Sequence, residues 1–156
     1  MADFGAGSGF FLKPLSRAVG DAGIVYALEI QKTLVESLGV LINRENLGNV
    51  RPLWCDIEKL GGSKLPDSGV DVVILANTLF QVEEHSAVVA EIHRVLRSGG
   101  KAVVIDWTES WGGLGPQPSD IVSQETTEQL FEQAGFTTEG TFDAGDHHYG
   151  VAFRKP

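Results

Sequence analysis

The sequence predicts an α/β fold built around a mostly parallel β-sheet, and three observations support this. Short apolar runs rich in strand-forming residues alternate with longer amphipathic runs, as in successive strand–helix–strand units. A glycine-rich segment, residues 5–9, separates the first short strand from the first helix. Residues 70–76 (VDVVILA) form a nearly continuous apolar run, which is typical of a strand buried on both faces.

Seven strands and four helices are expected in a single domain that spans residues 1–156. The predicted strands are residues 1–4, 24–28, 50–55, 70–76, 102–105, 136–142 and 149–154, the last two antiparallel. The predicted helices are residues 10–19, 31–42, 83–97 and 123–134, with stops at Gly20, at residues 98–100 and at Gly135, and with Ser123 as a cap. Residues 107–122 form a connection rich in glycine and proline.

Composition and charge indicate which binding partners and which cellular location are expected. The net charge of −9 repels phosphate backbones, so nucleic acid is not an expected partner. The lone Cys55 cannot form an internal disulfide, which favours a reducing compartment. We find neither an apolar stretch long enough to cross a bilayer nor a signal peptide, so we expect a cytoplasmic protein with no membrane partner.

The glycine-rich segment and an acidic residue downstream predict a site for an adenosine-type cofactor. Glycines between a strand and a helix let a ligand approach the backbone, and the helix N-terminus presents free N–H groups. Glu29 ends the second strand, twenty positions after Gly9, where a carboxylate accepts hydrogen bonds from ribose hydroxyls. Dinucleotide sites use G-x-G-x-x-G, but here Phe10 occupies the position of the third glycine.

The observed D-x-G-x-G-x-G, residues 3–9, resembles the first motif of class I S-adenosylmethionine-dependent methyltransferases. Four later segments, residues 26–29, 55–57, 65–73 and 91–100, resemble further motifs of that family in the same order. The branch with this pattern includes the C-methyltransferases of ubiquinone and menaquinone biosynthesis. The resemblance implies a Rossmann-like doubly wound sheet of order 3-2-1-4-5-7-6, with strand 7 antiparallel and helices on both faces.

The resemblance also implies a role for each site residue. Glu29 would hold the ribose, Asp56 the exocyclic amine of adenine, and Ile57 would pack on the adenine ring. Asp3 and Asn77 would hold the methionine end. The full set of implied cofactor-binding residues is Asp3, Phe4, Gly5, Ala6, Gly7, Gly9, Glu29, Ile30, Asp56, Ile57, Asn77 and Thr78. Structural alternatives remain: a tight turn for the glycines, a solvated strand end for Glu29, a helix cap for Asp56, a turn for Asn77 and a loop-stabilising role for Asp3.

Three residues are candidates for a catalytic role. His147, His148 and Asp106 are the candidates, because imidazole is a common general base and Asp106 closes the fifth strand. Adjacent strand residues point to opposite faces, so at most one of the two histidines should face a given pocket, and a surface pair is the alternative. His85 and His93 are expected to be solvated, and no cluster has metal-ligand spacing.

The expected reaction is methyl transfer from S-adenosylmethionine to a small-molecule acceptor. The segment after the fourth strand, residues 77–80 (NTLF), lacks the prolines of the [DN]-P-P-[YF] motif, which disfavours transfer to nucleobase amines. Family members carry helices before the first strand that cover the cofactor. Met1 lies four residues before Gly5, so we expect a second copy to cover the site in a homo-oligomer. A cofactor-binding protein without methyl transfer, and a nicotinamide-dependent oxidoreductase, are the alternatives.

Overall fold

The computed structural model describes residues 1–113 and 115–156, and Leu114, in the predicted connection 107–122, lies outside the described residues. The strands are β1 (Ala2–Phe4), β2 (Val25–Glu29), β3 (Val50–Trp54), β4 (Val70–Ala76), β5 (Leu96–Trp107), β6 (Thr137–Asp143) and β7 (His148–Arg154). The helices are α1 (Leu12–Val19), α2 (Lys32–Arg44), α3 (His85–Val95) and α4 (Gln124–Gln133). Two 3₁₀ turns, Leu79–Gln81 and Pro118–Asp120, complete the described elements.

The seven strands form one sheet in the order β3-β2-β1-β4-β5-β7-β6, which confirms the predicted order. β7 runs antiparallel to both of its neighbours, and the other pairs are parallel. The chain order reverses beside β1, which pairs with β2 on one side and β4 on the other. A crevice therefore opens at the carboxyl ends of these strands, where ligands bind in doubly wound folds.

Helices cover both faces of the sheet, as the sequence predicts. One core cluster joins buried side chains of α3 and α4, among them Ile92 and Phe131, to the sheet. A second cluster joins Leu12 of α1 and Leu38 of α2 to the opposite face. Alternation along β2 separates the clusters, because Ala27 belongs to the second cluster and Leu28 to the first.

The start of β5 differs from the sequence prediction. Residues 98–100 were expected to end the third helix, but the helix ends at Val95 and the strand begins at Leu96. The Gly99 N–H donates to the Lys155 carbonyl and the Lys155 N–H donates to the Gly100 carbonyl, so strand pairing extends to the chain end. Gly99 has φ +72°, and a Cβ on Gly100 would lie 2.8 Å from the Arg97 carbonyl oxygen. Glycines therefore permit a bend inside the strand.

The prediction that His85 and His93 are solvated is wrong, because both rings are half-buried. His85 Nε2 lies 2.9 Å from the Leu79 carbonyl oxygen, within hydrogen-bond distance. The His93 ring packs edge-to-face on Phe136, with 5.3 Å between the ring centroids. Each histidine thus joins α3 to a neighbouring segment.

A buried ion pair within α3 holds the loop before β4 against that helix. The Glu91 side chain is fully buried and pairs with Arg94 at 2.7 Å. It also accepts hydrogen bonds from the backbone N–H groups of Gly61 at 2.7 Å and Ser63 at 3.0 Å. Burial alone would raise the pKa of Glu91, but hydrogen bonds from Arg94, Ser63 and Gly61 outweigh burial and lower the pKa to about 2. The ionised carboxylate therefore stabilises the folded loop.

We expect Glu91→Gln to destabilise the protein by about 3 kcal/mol at neutral pH, because it leaves Arg94 without its buried partner. The lowered pKa contributes stability that is present above the unfolded-state pKa, near 4.5, and is lost as pH falls toward about 2. The difference in the free energy of unfolding between wild type and Glu91→Gln should therefore shrink as the pH falls over that range. Urea denaturation at a series of pH values measures it, with the exposed Glu36→Gln as control. Equal stability of wild type and Glu91→Gln at neutral pH would contradict this account.

Candidate functional site

Two adjoining cavities follow the carboxyl ends of β1 to β4. The first has a volume of about 250 Å³ and is lined by Gly5, Gly7, Leu28, Glu29, Ile30, Gln31, Leu34, Cys55, Asp56, Ile57, Glu58, Thr78, Gln81 and Val82. The second has a volume of about 310 Å³ and is lined by Asp3, Gly5, Ala6, Gly7, Ser8, Phe10, Phe11, Ala76, Asn77 and Gln81. They share Gly5, Gly7 and Gln81, so together they form one groove across the switch point.

The glycines of the first loop have distinct steric functions. Gly5, Gly7 and Gly9 all have positive φ, at +82°, +52° and +84°. A Cβ on Gly5 would lie 2.5 Å from Thr78 Oγ1, and one on Gly9 would lie 2.6 Å from a Leu41 methyl group. A side chain at Gly5 or Gly9 would therefore displace packed neighbours, whereas a Cβ on Gly7 would meet only the Gly5 carbonyl oxygen, at 3.9 Å. Gly7 leaves open space where a ligand can approach the backbone.

The Glu29 carboxylate holds the glycine loop and the start of α2 together. Glu29 ends β2 and is only 7% exposed. Its Oε2 accepts a hydrogen bond from the Gly7 N–H at 3.0 Å, and its Oε1 accepts one from the Gln31 N–H at 2.8 Å. A carboxylate has about four acceptor positions, so each oxygen retains capacity for a ligand hydroxyl. Glu29 therefore presents two oriented acceptors to the first cavity.

Two buried acceptors at the other end of the groove have no donor among the described residues. Asp3 is 2% exposed, and its Oδ2 makes no hydrogen bond. Burial, and to a lesser extent the charge of Glu29, raise the pKa of Asp3 to about 7. Asn77, at φ +52°, likewise has a buried Oδ1 without a hydrogen bond. Because buried polar atoms are normally paired, these two oxygens fit a ligand that donates hydrogen bonds, such as an ammonium group.

Asp56 lies in the loop after β3, at the far end of the first cavity. Its Oδ1 accepts from the Glu58 N–H at 3.0 Å, and its Oδ2 lies 2.8 Å from Lys59 Nζ. The hydrogen bond from Lys59 is the main cause that lowers the pKa of Asp56. Beside it, the buried Ile57 provides an apolar wall. A charged acceptor next to an apolar surface suits the edge and face of an adenine ring.

The structure brings ten of the twelve predicted cofactor-binding residues to the groove. The other two line neither cavity: Phe4 lies in the core, and Gly9 packs against α2. Gln81, which lines both cavities, was missed because it lies in a 3₁₀ turn that the sequence pattern did not indicate. Gln31 and Leu34 were also missed, although their position just after the Glu29 strand end was a usable signal.

Asp106 lies beneath the groove and lines neither cavity. It is 1% exposed, and its carboxylate accepts from the N–H groups of Thr78, Leu79 and Trp107 at 3.1, 2.9 and 2.9 Å. Burial raises its pKa despite these hydrogen bonds. The arrangement fixes the turn that carries Thr78. A catalytic role for Asp106 stays a prediction.

The two adjacent histidines each pack on a tryptophan, and neither lines the two cavities. The His148 ring lies 4.2 Å from the Trp107 ring, between centroids, and its Nε2 is buried without a partner among the described residues. His147 stacks on Trp111 at 4.7 Å, and its Nδ1 lies 3.1 Å from a Glu109 carboxylate oxygen. A role for either histidine as a general base stays a prediction.

Across residues 1–113 and 115–156, no group of three or more His, Cys, Asp or Glu side chains is arranged to bind a metal ion. None of the helices in this part of the chain combines the length and the apolar character that a membrane span requires.

Comparisons with known proteins agree with this geometry. A family model described as a methyltransferase domain matches residues 2–104. The ubiquinone/menaquinone biosynthesis C-methyltransferase UbiE of Burkholderia cenocepacia is 32% identical over 116 residues, which cover 72% of this chain and 44% of that protein. The corresponding protein of Burkholderia mallei matches with the same identity and coverage. The chain thus spans less than half the length of the curated relatives it matches.

Solved structures extend the comparison to nearly the whole chain. A SAM-dependent methyltransferase from Aquifex aeolicus superposes with a TM-score of 0.90 at 30% identity, covering 99% of this chain and 81% of that one. A geranyl diphosphate C-methyltransferase from Streptomyces coelicolor, solved with S-adenosyl-L-homocysteine, has a TM-score of 0.80 at 13% identity, covering 99% and 70%, and supports the fold alone. By its matched domain, its fold and these relatives, the chain belongs to the class I S-adenosylmethionine-dependent methyltransferase family.

Proposed function

We propose that this chain binds S-adenosylmethionine in the groove and transfers its methyl group to a small-molecule acceptor. The observation that carries the proposal is the arrangement of acceptors along the groove. Glu29 offers two oriented oxygens at the end of β2, and Asp3 and Asn77 offer two unpartnered oxygens near β1 and β4. This pattern matches a ligand with a ribose diol in its middle and an ammonium group at one end.

The residues of the groove would each hold one part of the cofactor. Glu29 accepts hydrogen bonds from the ribose hydroxyls, and Gly7 lets the ligand lie close to the loop. Asp56 accepts from the exocyclic amine, while Ile57 packs on the adenine ring. Asp3 accepts from the ammonium group, with which its ionised form pairs.

The bound cofactor supplies an electrophilic methyl group, and the protein supplies alignment. A direct displacement at that methyl group requires no obligatory acid or base when the acceptor is already nucleophilic. The side chains of the groove then act by holding the sulfonium in place and by excluding water. A reaction that needs no acid or base is consistent with a groove in which Asp3, Glu29 and Asp56 all have proposed roles in cofactor binding.

The curated relatives are named as C-methyltransferases, which supports a small-molecule acceptor. The net charge of −9 disfavours nucleic acid, and the lone, buried Cys55 suits a cytoplasmic location. We also propose that residues 1–156 act as one cofactor-binding domain and associate as a homo-oligomer.

Calorimetric titration with S-adenosylmethionine and S-adenosylhomocysteine tests the cofactor. We expect micromolar binding by wild type and at least about 30-fold weaker binding by Glu29→Ala, because two charge-assisted hydrogen bonds to the ribose are lost. Glu36→Ala, an exposed change on α2, should bind like wild type. Formation of S-adenosylhomocysteine in an acceptor screen then tests methyl transfer. Binding of NAD without binding of S-adenosylmethionine would overturn the proposal.

Asp3→Asn should stabilise the ligand-free protein while weakening cofactor binding. Because the folded-state pKa of Asp3 is raised to about 7, ionisation of Asp3 destabilises the folded protein. This destabilisation begins as the pH rises above the unfolded-state pKa and is complete above about pH 7. The amide removes that cost, so we expect the Tm at about pH 8 to rise by about 4 °C or more, and the gain to vanish below about pH 4. The same change removes the partner of the ammonium group, so affinity should fall at least about tenfold.

Wild-type affinity should also depend on pH, because the bound ammonium favours ionised Asp3. We expect affinity for S-adenosylhomocysteine to rise about tenfold between about pH 5.5 and 7.5, and to stay flat over that range in Asp3→Asn. Calorimetry across that range measures both, with the exposed Asp21→Asn as the matched control. A flat wild-type profile would contradict the placement of the ammonium group at Asp3.

A further inference from the structure

An apolar and basic patch lies beside the adenine end of the groove. We define the basic–aromatic patch as Ile30, Lys32, Trp54, Lys59 and Lys64. Trp54, which ends β3, is 53% exposed, and its Nε1 donates to the Ile30 carbonyl oxygen at 2.9 Å. The ammonium groups of Lys32 and Lys64 lie 5.6 and 5.4 Å from the centroid of its ring. The indole is thus fixed in orientation and flanked by two cations.

The three lysines of this patch lie together on a chain whose net charge is −9. Among the described residues, neither Lys32 nor Lys64 forms an ion pair with a carboxylate, although Lys59 pairs with Asp56. Exposed tryptophan is enriched among the residues that contribute most of the binding energy at protein interfaces. The patch therefore has the character of a docking surface for an acidic partner.

An acidic patch adjoins it, because Glu58 directly precedes Lys59. We define the acidic patch as Glu58, Glu83 and Glu84. The Glu58 carboxylate accepts from the N–H groups of Glu83 at 2.8 Å and Glu84 at 2.9 Å, so the three residues form one cluster. Within residues 1–113 and 115–156, none of the three forms an ion pair with a lysine, arginine or histidine. Two clusters of opposite charge thus meet where Glu58 is followed by Lys59.

The residue next to this boundary is apolar and strongly exposed. Leu60 follows Lys59 and is 71% exposed. A surface with a cation cluster, an anion cluster and an apolar residue beside their boundary is complementary to itself after a two-fold rotation. In such an isologous interface, each cluster faces the opposite cluster of the other copy, and Leu60 meets its own equivalent near the axis.

We infer that a second copy of this chain docks across this boundary, with the basic–aromatic patch of one copy on the acidic patch of the other and Leu60 near a two-fold axis. The inference specifies the surface of the homo-oligomer that belongs to the proposed function. Glu58 and Ile30 also line the first cavity, so the second copy would cover the groove beyond Asp56. We choose a second copy as the partner because the two patches have opposite charges and can pair with each other between copies.

Sedimentation equilibrium of the full chain without cofactor tests this inference independently of cofactor binding. We expect a monomer–dimer equilibrium between about 5 and 200 µM, weaker at about 500 mM than at about 50 mM salt. Lys32→Glu/Lys64→Glu and Glu83→Lys/Glu84→Lys should each weaken self-association at least about tenfold, and a mixture of the two should regain it as a heterodimer. Arg17→Glu/Arg51→Glu makes the same change in charge at another cavity, which shares no residue with either patch, and should dimerise like wild type.

A cross-linking experiment tests the position of the axis. Leu60→Cys should form a disulfide-linked dimer under mild oxidation, whereas Val40→Cys, which is 68% exposed on α2, should not. Circular dichroism establishes that every variant is folded. A wild-type protein that stays monomeric throughout the concentration range would overturn the inference, and so would a dimer that neither charge reversal weakens.

Discussion

The hydrogen bonds of the Glu29 carboxylate are the constraint on which the rest of the site depends. They tie the glycine loop after β1, through Gly7, to the first residues of α2, through Gln31. β1 has only three residues, so pairing within the sheet gives the loop after it little support of its own. The same side chain that orders this loop faces the first cavity. The structural role of Glu29 and its proposed binding role therefore fall on one side chain, and a preorganised loop would reduce the entropy lost on binding.

The groove places unsatisfied polar atoms where a cationic ligand would satisfy them. The free protein carries the cost of burying Asp3, whose pKa is raised, and of leaving Asn77 Oδ1 without a donor. Such costs are usual at binding sites, where local stability is lost for function. Elsewhere a buried carboxylate stabilises the fold where its hydrogen bonds outweigh its burial, as in the Glu91–Arg94 pair.

Sequence patterns predicted the parts of the structure that backbone geometry dictates. Val70–Ala76 is the strand expected from its continuous apolar run, and Ser123 Oγ accepts from the Thr126 N–H as a helix cap should. The glycine loop and Glu29 were predictable because the loop follows the first strand and Glu29 ends the second, at a characteristic spacing. The start of β5 and the Gln81 turn were not, because they depend on pairing with the chain end and on the buried Asp106. Half-burial of His85 and His93 likewise follows from tertiary contacts that no local pattern encodes.

We propose that one carboxylate, Glu29, both orders the glycine loop and holds the ribose. A crystal structure of the chain with S-adenosylhomocysteine tests it most directly. We predict that both ribose hydroxyls donate to Glu29 while the Gly7 N–H remains bonded to it, and that the ammonium group lies between Asp3 and Asn77. A nucleoside bound away from Glu29, or a Glu29 side chain that leaves Gly7 to reach the ribose, would contradict the account.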